Sequence, residues 1–229
     1  MKVLAIGAHP DDIEIFMYGF IALCKKRGDD INLAIASDGA AGNIIGKTNL
    51  KKIREKESIK GLFSLGIPTF LNLPDGELNN DIKAKIVVKN FIKDKSPDLI
   101  LTHSPDDYHP DHRALSRFVT DGVGFNCPVL FADTLMGVGF FPDFYIDITS
   151  VFKEKKEAIL KHKSQRPFKF FQATKLLNRF RAAQCNAPEG EYAETYKSFK
   201  TFPFSDIREF LPNTLKYRPY YKSQSEGFI

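Results

Sequence analysis

Histidines and carboxylates are concentrated in two short segments of the chain, "AHPDD" (8–12) and "HSPDDYHPDH" (103–112). Four of the five histidines lie in these two segments. Neutral imidazole and carboxylate are ordinary zinc ligands, and catalytic zinc sites combine three protein ligands with a water molecule. The two segments therefore predict a metal site, provided that the fold brings them together.

The spacing in the first segment separates a ligand pair from a free carboxylate. His9 and Asp12 are three residues apart, and Pro10 fixes the backbone between them, so both side chains can turn toward one point. Asp11 points elsewhere and stays free. A His-Pro-Asp sequence on its own is more typical of a turn with an Asp helix cap, so the second segment has to support the metal site.

The second segment offers a matching pair, His109 and His112, again three residues apart. His112 begins a predicted helix and can complete a His-Asp-His set with the first segment. Asp111 can accept the N–H of a histidine and set its tautomer. Structural zinc sites are usually closed and rich in cysteine, so an open nitrogen and oxygen site is favoured.

The elements that must position these segments alternate between strand and helix patterns. Apolar runs rich in branched and aromatic residues predict strands at 2–7, 31–37, 68–73, 97–103 and 128–133. Helices are predicted at about 14–27, 49–64, 80–94 and 112–121, the first ending at Gly28 and the second near Gly66. These repeated units predict an α/β fold, a Rossmann-like three-layer sandwich with a mainly parallel sheet.

The predicted topology brings the two polar segments together. In the common strand order 3-2-1-4-5 the order reverses between the first and fourth strands, and ligands bind beyond the carboxyl ends at that point. "AHPDD" follows the first strand and "HSPDDYHPDH" follows the fourth. The two segments should therefore face each other across one crevice.

The pattern changes after about residue 143. "FYIDI" (144–148) can add a strand, and 150–165 predicts a helix with an apolar stripe. The stripe consists of Val151, Phe152, Ala158 and Ile159. Beyond it we expect an irregular, partly helical tail. The prediction is one domain over 1–229, with a core at 1–149 and a C-terminal extension at 150–229 packed on it.

The extension is basic and aromatic. It holds 16 Lys and Arg against 8 Asp and Glu, in a chain whose net charge is +5. Its aromatic segments are "RPFKFFQ", "FKTFPF" and "YRPYY". Nucleic-acid binding proteins have such segments, as do surfaces that bind phosphorylated or lipid-linked substrates. Alternatively, the aromatic rings pack the extension onto the core while the charges stay in water.

The remaining composition favours a cytoplasmic protein. No apolar run is long enough for a transmembrane segment, and the N-terminus is wrong for a signal peptide. Cys24, Cys127 and Cys185 are odd in number and far apart, which favours reduced thiols. The sequence leaves a homo-oligomer open.

"AHPDD" after a first strand with "HPDH" after a later one resembles the PIG-L/LmbE-like family of zinc-dependent N-acetylglucosaminyl deacetylases. Other segments are similar to family landmarks and occur in the same order, namely "IREKE" (53–57), "LPDGEL" (73–78), "HKSQ" (162–165) and "EYAETY" (191–196). The resemblance covers nearly the whole chain. It implies hydrolysis of the N-acetyl group of an amino sugar, with a small-molecule substrate and no nucleic acid.

The resemblance also implies roles for the residues of the two segments. His9, Asp12 and His112 would hold one Zn²⁺ per chain, with other divalent metals allowed. Asp11 would be the general base. His109, in its protonated form, would stabilise the oxyanion or donate a proton.

Three further residues match family positions whose side chains contact the substrate or orient a catalytic residue. Asp111 would orient His109. Arg54 and Asp75 match positions that hold sugar hydroxyls. The alternatives are an Arg54 on the helix surface paired with Glu57, and an Asp75 that only forms a turn.

Two departures from the family pattern leave the identity of the substrate open. Ala40 stands where many relatives have an acidic residue, and "RFRAAQ" (179–184) lacks a glycine found after the second arginine in many of them. Alternative functions are a zinc amidase acting on a non-acetyl amide and a basic nucleic-acid-binding module. A Rossmann nucleotide binder is disfavoured because "GAHPDD" replaces a glycine-rich phosphate loop.

Overall fold

The computed structural model describes residues 1–42, 49–200 and 207–215. In these ranges the strands are β1 (Lys2–Gly7), β2 (Asp30–Ser37), β3 (Thr69–Leu73), β4 (Leu99–Thr102), β5 (Val129–Ala132), β6 (Phe144–Asp147) and β7 (Ala193–Ser198). The helices are α1 (Asp12–Phe16), α2 (Tyr18–Arg27), α3 (Leu50–Leu62), α4 (Ile82–Lys95), α5 (Pro110–Val123), α6 (Phe152–Ile159) and α7 (Pro167–Gln184).

The seven strands form one mixed sheet in the order β3-β2-β1-β4-β5-β7-β6. The first five strands of this order, β3, β2, β1, β4 and β5, pair in parallel. In contrast, β7 runs antiparallel to both β5 and β6. The strand order reverses between β1 and β4, so the predicted order 3-2-1-4-5 is confirmed. Because parallel strands have their carboxyl ends at one edge, the segments after β1 and β4 lie side by side.

β1 is buried on both faces, which explains its nearly continuous apolar sequence. Val3 and Ala5 pack into one apolar cluster with residues of α2 and α6. Leu4 and Ile6 pack into a second cluster with residues of α4 and α5. The sheet therefore lies between two helical layers, as predicted for a three-layer sandwich.

The helix predicted over 14–27 is in fact two helices that meet at Met17, where φ is −133° and ψ is −6°. The backbone N–H groups of Gly19 and Phe20 each donate a 2.8 Å hydrogen bond to the carboxylate of Glu194. First-turn N–H groups have no acceptor within their own helix. A side chain from β7 thus supplies the acceptors for α2, and no local sequence signal could indicate it.

The C-terminal extension is more regular than predicted. α6 is shorter than the predicted helix at 150–165, although all four residues of its predicted stripe are buried. The expected irregular tail contains the 18-residue helix α7 and the strand β7 within the sheet. β7 escaped prediction because its buried residues include the polar Glu194 and Thr195, which remove the apolar pattern.

The predicted aromatic segments have different outcomes. "RPFKFFQ" forms the beginning of α7, where Phe171 is buried. "YRPYY" (217–221) and most of "FKTFPF" (199–204) lie outside the described residues. Among the helices that the structure describes, none combines the length and the apolar character needed to cross a bilayer.

Glu194→Ala is expected to lower the free energy of unfolding by about 3–5 kcal/mol, as measured by urea denaturation. The carboxylate lies 2.7 Å from Lys155 Nζ and 2.8 Å from the Tyr196 hydroxyl, and all three side chains are buried. Its loss leaves an unpaired buried ammonium and uncapped amides on α2. The matched control is Glu154→Ala, which breaks an exposed pair with Lys26. Equal losses in the two variants would contradict the expected effect.

Candidate active site

The loop after β1 carries the first group of candidate residues. β1 ends at Gly7 and α1 begins at Asp12, whose Oδ2 accepts a 2.6 Å hydrogen bond from the His9 N–H. A Cβ at Gly7 would lie 2.9 Å from the Asp12 Cβ, so the loop can fold back on the strand end only with glycine there. Asp11 has φ 121°, a strained conformation for a non-glycine residue that its surroundings must maintain.

The loop after β4 carries the second group. Pro110 occupies the first turn of α5, where its fixed φ suits the helix start. His109 precedes it and caps the helix, because its Nδ1 accepts a 3.2 Å hydrogen bond from the Asp111 N–H. His112 lies in the first turn of α5 and is buried. The proline and the cap therefore fix the start of α5, the segment that carries His109 and His112.

The two loops bring His9, Asp12 and His112 into a triangle of ligand atoms. The distances are 3.3 Å from His9 Nδ1 to Asp12 Oδ2, 3.3 Å from His9 Nδ1 to His112 Nε2, and 3.4 Å from His112 Nε2 to Asp12 Oδ1. Ligands bound to zinc at about 2.0–2.1 Å in a tetrahedron lie about 3.3–3.4 Å from one another. The two imidazole nitrogens thus lie at the spacing of two zinc ligands, and each faces a different oxygen of the Asp12 carboxylate, a set of side chains that can hold a metal ion.

The charges of the side chains around this triangle also favour the binding of a cation. Burial alone would raise the pKa of Asp12, but the imidazoles of His112 and His103 hold it well below its ordinary value. Burial alone would lower the pKa of His112, but Asp12 and Asp107 raise it to about 9. The raised pKa favours a proton on His112 between these two carboxylates, and a metal bound there would displace it.

Two more carboxylates contact the far nitrogen of His9. Its Nε2 lies 3.1 Å from Asp75 Oδ1 and 3.3 Å from Asp111 Oδ2, which makes these three residues a second possible donor group. Asp111 is fixed by hydrogen bonds from the backbone N–H groups of Gly76 and Leu78. Asp111 is thus placed to set the tautomer of a histidine, as predicted, in the way that carboxylates beside metal-bound histidines do. Its side chain contacts His9, and its backbone N–H contacts His109, so the orientation of His109 by Asp111 stays a prediction.

His103 and Asp107 belong to the site but were given no role in the sequence analysis. His103 Nε2 accepts a 3.0 Å hydrogen bond from the Ala8 N–H and lies 3.0 Å from Asp12 Oδ2. Its ring stacks on His112 with a centroid distance of 3.7 Å. Asp107 Oδ2 lies 3.1 Å from His112 Nδ1. Their place in the polar segment after β4 was the available signal.

Arg54 is buried and contacts the loop that carries Asp11. Its Nη2 donates to the Pro10 carbonyl at 2.6 Å and lies 3.3 Å from Asp11 Oδ1, and its Nη1 donates to the Gly39 carbonyl at 3.0 Å. The alternative of a surface arginine paired with Glu57 was therefore wrong. The guanidinium instead holds the strained turn at Asp11 in place.

A cavity of about 290 Å³ opens above the triangle. Asp11, Arg54, Asp75, His109 and Gln165 lie on its polar walls. Its apolar walls include Ile15, Phe16, Tyr108, Leu135 and Phe170. The structure thus brings together around one cavity all the residues for which the sequence analysis predicted a role, except that Asp111 lies behind His9.

Known proteins resemble this chain in sequence and in fold. A sequence model of the PIG-L family, described as GlcNAc-PI de-N-acetylase, matches residues 4–123. The diacetylchitobiose deacetylase of Thermococcus kodakarensis is 27% identical over 188 residues, which cover 72% of this chain and 70% of that protein.

Two solved structures share the fold over most of their length. The N,N'-diacetylchitobiose deacetylase of Pyrococcus horikoshii has a TM-score of 0.77 at 22% identity, covering 92% of this chain and 88% of its own. GalB of Pseudomonas putida, a 4-carboxy-2-hydroxymuconate hydratase, has a TM-score of 0.76 at 21% identity, covering 90% and 98%. At these identities the likeness concerns the fold alone.

Proposed function

The chain belongs to the PIG-L family, and on this premise we propose that it is a zinc-dependent hydrolase that removes the N-acetyl group of an N-acetylated amino sugar. The observation that carries the proposal is the triangle of His9, Asp12 and His112 at the base of a cavity, with Asp11 beside it. Two imidazoles and one carboxylate are a ligand set of catalytic zinc. Other divalent metals accept the same donors.

Asp11 is the general base in this proposal. A divalent metal in the triangle would polarise the amide carbonyl and lower the pKa of water at the site. Asp11 lies next to Asp12 in the chain, and burial raises the pKa of its carboxyl while Arg54 and His162 oppose the rise. Its carboxylate can take the proton of the attacking water and pass it to the leaving amine, a role worth roughly 10²–10⁴ in rate.

His109 is the proposed donor to the oxygen that gains negative charge. Burial lowers the pKa of His109, and the neighbouring His9 and His112 lower it further. Its Nδ1 already accepts the Asp111 N–H, so the neutral ring carries its proton on Nε2. We therefore infer a neutral donor in place of the protonated ring expected from the sequence. Such a donor is worth roughly 3–4 kcal/mol in the transition state.

The cavity walls suggest how an amino sugar would be held. Asp75 lines the cavity and accepts the Ala41 N–H at 2.9 Å through Oδ2. We propose that it also accepts a sugar hydroxyl. For Arg54 the contacts favour a different role, because Nη2 donates to the Pro10 carbonyl beside Asp11 and Nη1 donates to the Gly39 carbonyl. The cavity volume suits a single sugar ring, with the attached group outside.

The test is release of free amine and acetate by the zinc-loaded protein. The panel contains N-acetylglucosamine, diacetylchitobiose, a nucleotide diphosphate N-acetylglucosamine, and inositol and lipid conjugates, each with and without a chelator. We expect stoichiometric amine and acetate from one or more substrates, abolished by the chelator and restored by zinc. N-formyl and N-propionyl analogues of the same sugars test the alternative function, a zinc amidase that acts on a non-acetyl amide. A zinc-loaded protein that releases no amine from any substrate would contradict the proposal.

A further inference from the structure

A buried acid–imidazole pair lies behind α1. The Nε2 of His162 is 2.7 Å from Glu14 Oε1, and both side chains are almost completely inaccessible to solvent. Glu14 is two residues beyond Asp12, and two residues on a helix point to nearly opposite sides. The pair therefore holds the side of α1 that faces away from the metal triangle.

α1 depends on such contacts for its position. It has only five residues, too few to be stable by its own hydrogen bonds, and no side chain caps its N-terminus. It begins directly after Asp11 and carries Asp12 in its first turn. A shift of this short helix would move the proposed base and a proposed ligand together.

The surroundings of Glu14 leave little freedom. Glu14 Oε2 has no hydrogen-bond partner among the residues that the structure describes, so His162 is the carboxylate's one observed side-chain bond there. On the other side, a Cβ at Gly61 of α3 would lie 2.6 Å from Glu14 Oε1. Burial alone would lower the pKa of His162, but Glu14, Asp11 and Glu57 raise it. The imidazole is thus held in an acidic surrounding from α1, from the Asp11 loop and from α3.

The turn that delivers His162 belongs to the "HKSQ" segment, whose other side chains contact different elements. Ser164 Oγ donates to Glu57 on α3 at 2.6 Å, and Gln165 Nε2 donates to the Gly42 carbonyl at 3.0 Å. Among the side-chain hydrogen bonds given for this segment within the described part of the chain, that of His162 is the one that reaches α1. This separation makes it possible to test the α1 contact alone.

We propose that His162 is a positioning residue for catalysis, which fixes α1 through Glu14 and so keeps Asp11 and Asp12 aligned on the metal triangle. The proposal rests on the proposed function only for its kinetic consequence. Because α1 carries a proposed ligand and follows the proposed base, and also contributes Ile15 and Phe16 to the cavity wall, kcat should fall by a larger factor than KM rises.

The experiment compares His162→Leu, which removes the donor, with His162→Gln, whose amide N–H can reach the same carboxylate. We expect His162→Leu to lower kcat about 10- to 100-fold with metal content unchanged and a smaller change in KM. His162→Gln should recover most of the loss. Ser164→Ala, which breaks the neighbouring contact with Glu57, is the control and should keep the wild-type kcat. Wild-type kcat in folded His162→Leu would overturn the proposal, as would a His162→Gln protein equally impaired.

Gly61→Ala reaches the same contact from α3 and keeps the proposal testable if His162→Leu does not fold. Alanine stabilises a helix interior relative to glycine, so the loss should not come from α3 itself. The added methyl group would lie 2.6 Å from Glu14 Oε1 and 3.2 Å from the Ala158 carbonyl oxygen, so Glu14 should be displaced most. We expect a lower kcat with unchanged metal content. A wild-type kcat in the folded Gly61→Ala protein would count against the proposal.

The visible spectrum of the cobalt-substituted protein gives a second readout that needs no substrate. We expect the spectrum to change in His162→Leu and Gly61→Ala and to stay as in the wild type in His162→Gln. If the wild type hydrolyses no amide, the proposed function fails while this spectrum still decides the positioning role. Unchanged spectra in both folded variants would then overturn it.

Discussion

Asp12→Ala is expected to abolish stoichiometric metal binding, and amide hydrolysis with it. The carboxylate is the one oxygen donor of the triangle, at 3.3 and 3.4 Å from the two imidazole nitrogens. It also accepts the His9 N–H, so its removal loosens the loop that presents a second ligand. Residues that merely support metal ligands are worth about 10–100-fold in affinity, and the loss of a ligand should exceed that range.

Elemental analysis after dialysis at neutral pH measures this expectation directly. The control is Asp106→Ala, because Asp106 lies in the same polar loop but is exposed and pairs weakly with Lys197 at 3.7 Å. The Asp106→Ala protein should retain one metal ion per chain. Wild-type metal content in Asp12→Ala would exclude Asp12 as a ligand and direct attention to the donor groups that lack it, His9 with His109 and His112 or His9 with Asp75 and Asp111.

Asp11→Asn is expected to separate turnover from metal binding. The variant should keep one metal ion per chain and lose at least about 10² in kcat, because an amide cannot accept the proton of the attacking water. Asparagine is preferred to alanine because it keeps the size and shape of the aspartate side chain at this strained position, where φ is 121°. The comparison of kcat and metal content in one preparation is the decisive measurement.

The result separates Asp11 from Asp12, although the two are adjacent in the chain. A kcat near that of the wild type would remove Asp11 as the base and leave His109, on the same cavity wall, as an alternative. Loss of metal in Asp11→Asn would instead mean that the carboxylate belongs to the ligand set.

The sequence predicted the parts of this site that depend on local spacing and on strand order. His9 and His112 lie close together because a parallel sheet places the carboxyl ends of β1 and β4 side by side. Both strands could be predicted from their apolar sequences. The family resemblance drawn from "AHPDD" and "HPDH" is confirmed by the match over residues 4–123.

The contacts that could not be predicted join residues far apart in the chain. Asp111 bonds to His9 over 102 residues, and the choice between His9 and His109 depends on side-chain geometry that spacing does not reveal. Glu194 reaches the amides of α2 over 174 and 175 residues, which divides a continuous helical pattern into two helices. From the sequence alone, a buried carboxylate of this kind cannot be distinguished from an acidic residue on the surface.

The position of β7 between β5 and β6 has a consequence for the order in which the chain can fold during synthesis. When the ribosome has made β1 to β6, one edge of β5 still lacks its partner, and β6 has no strand to join. Unpaired strand edges are sites of aggregation. The acceptors for α2 arrive with the same late strand, since Glu194 belongs to it. A nascent chain that lacks β7 is therefore expected to expose an open β-edge and an uncapped helix together.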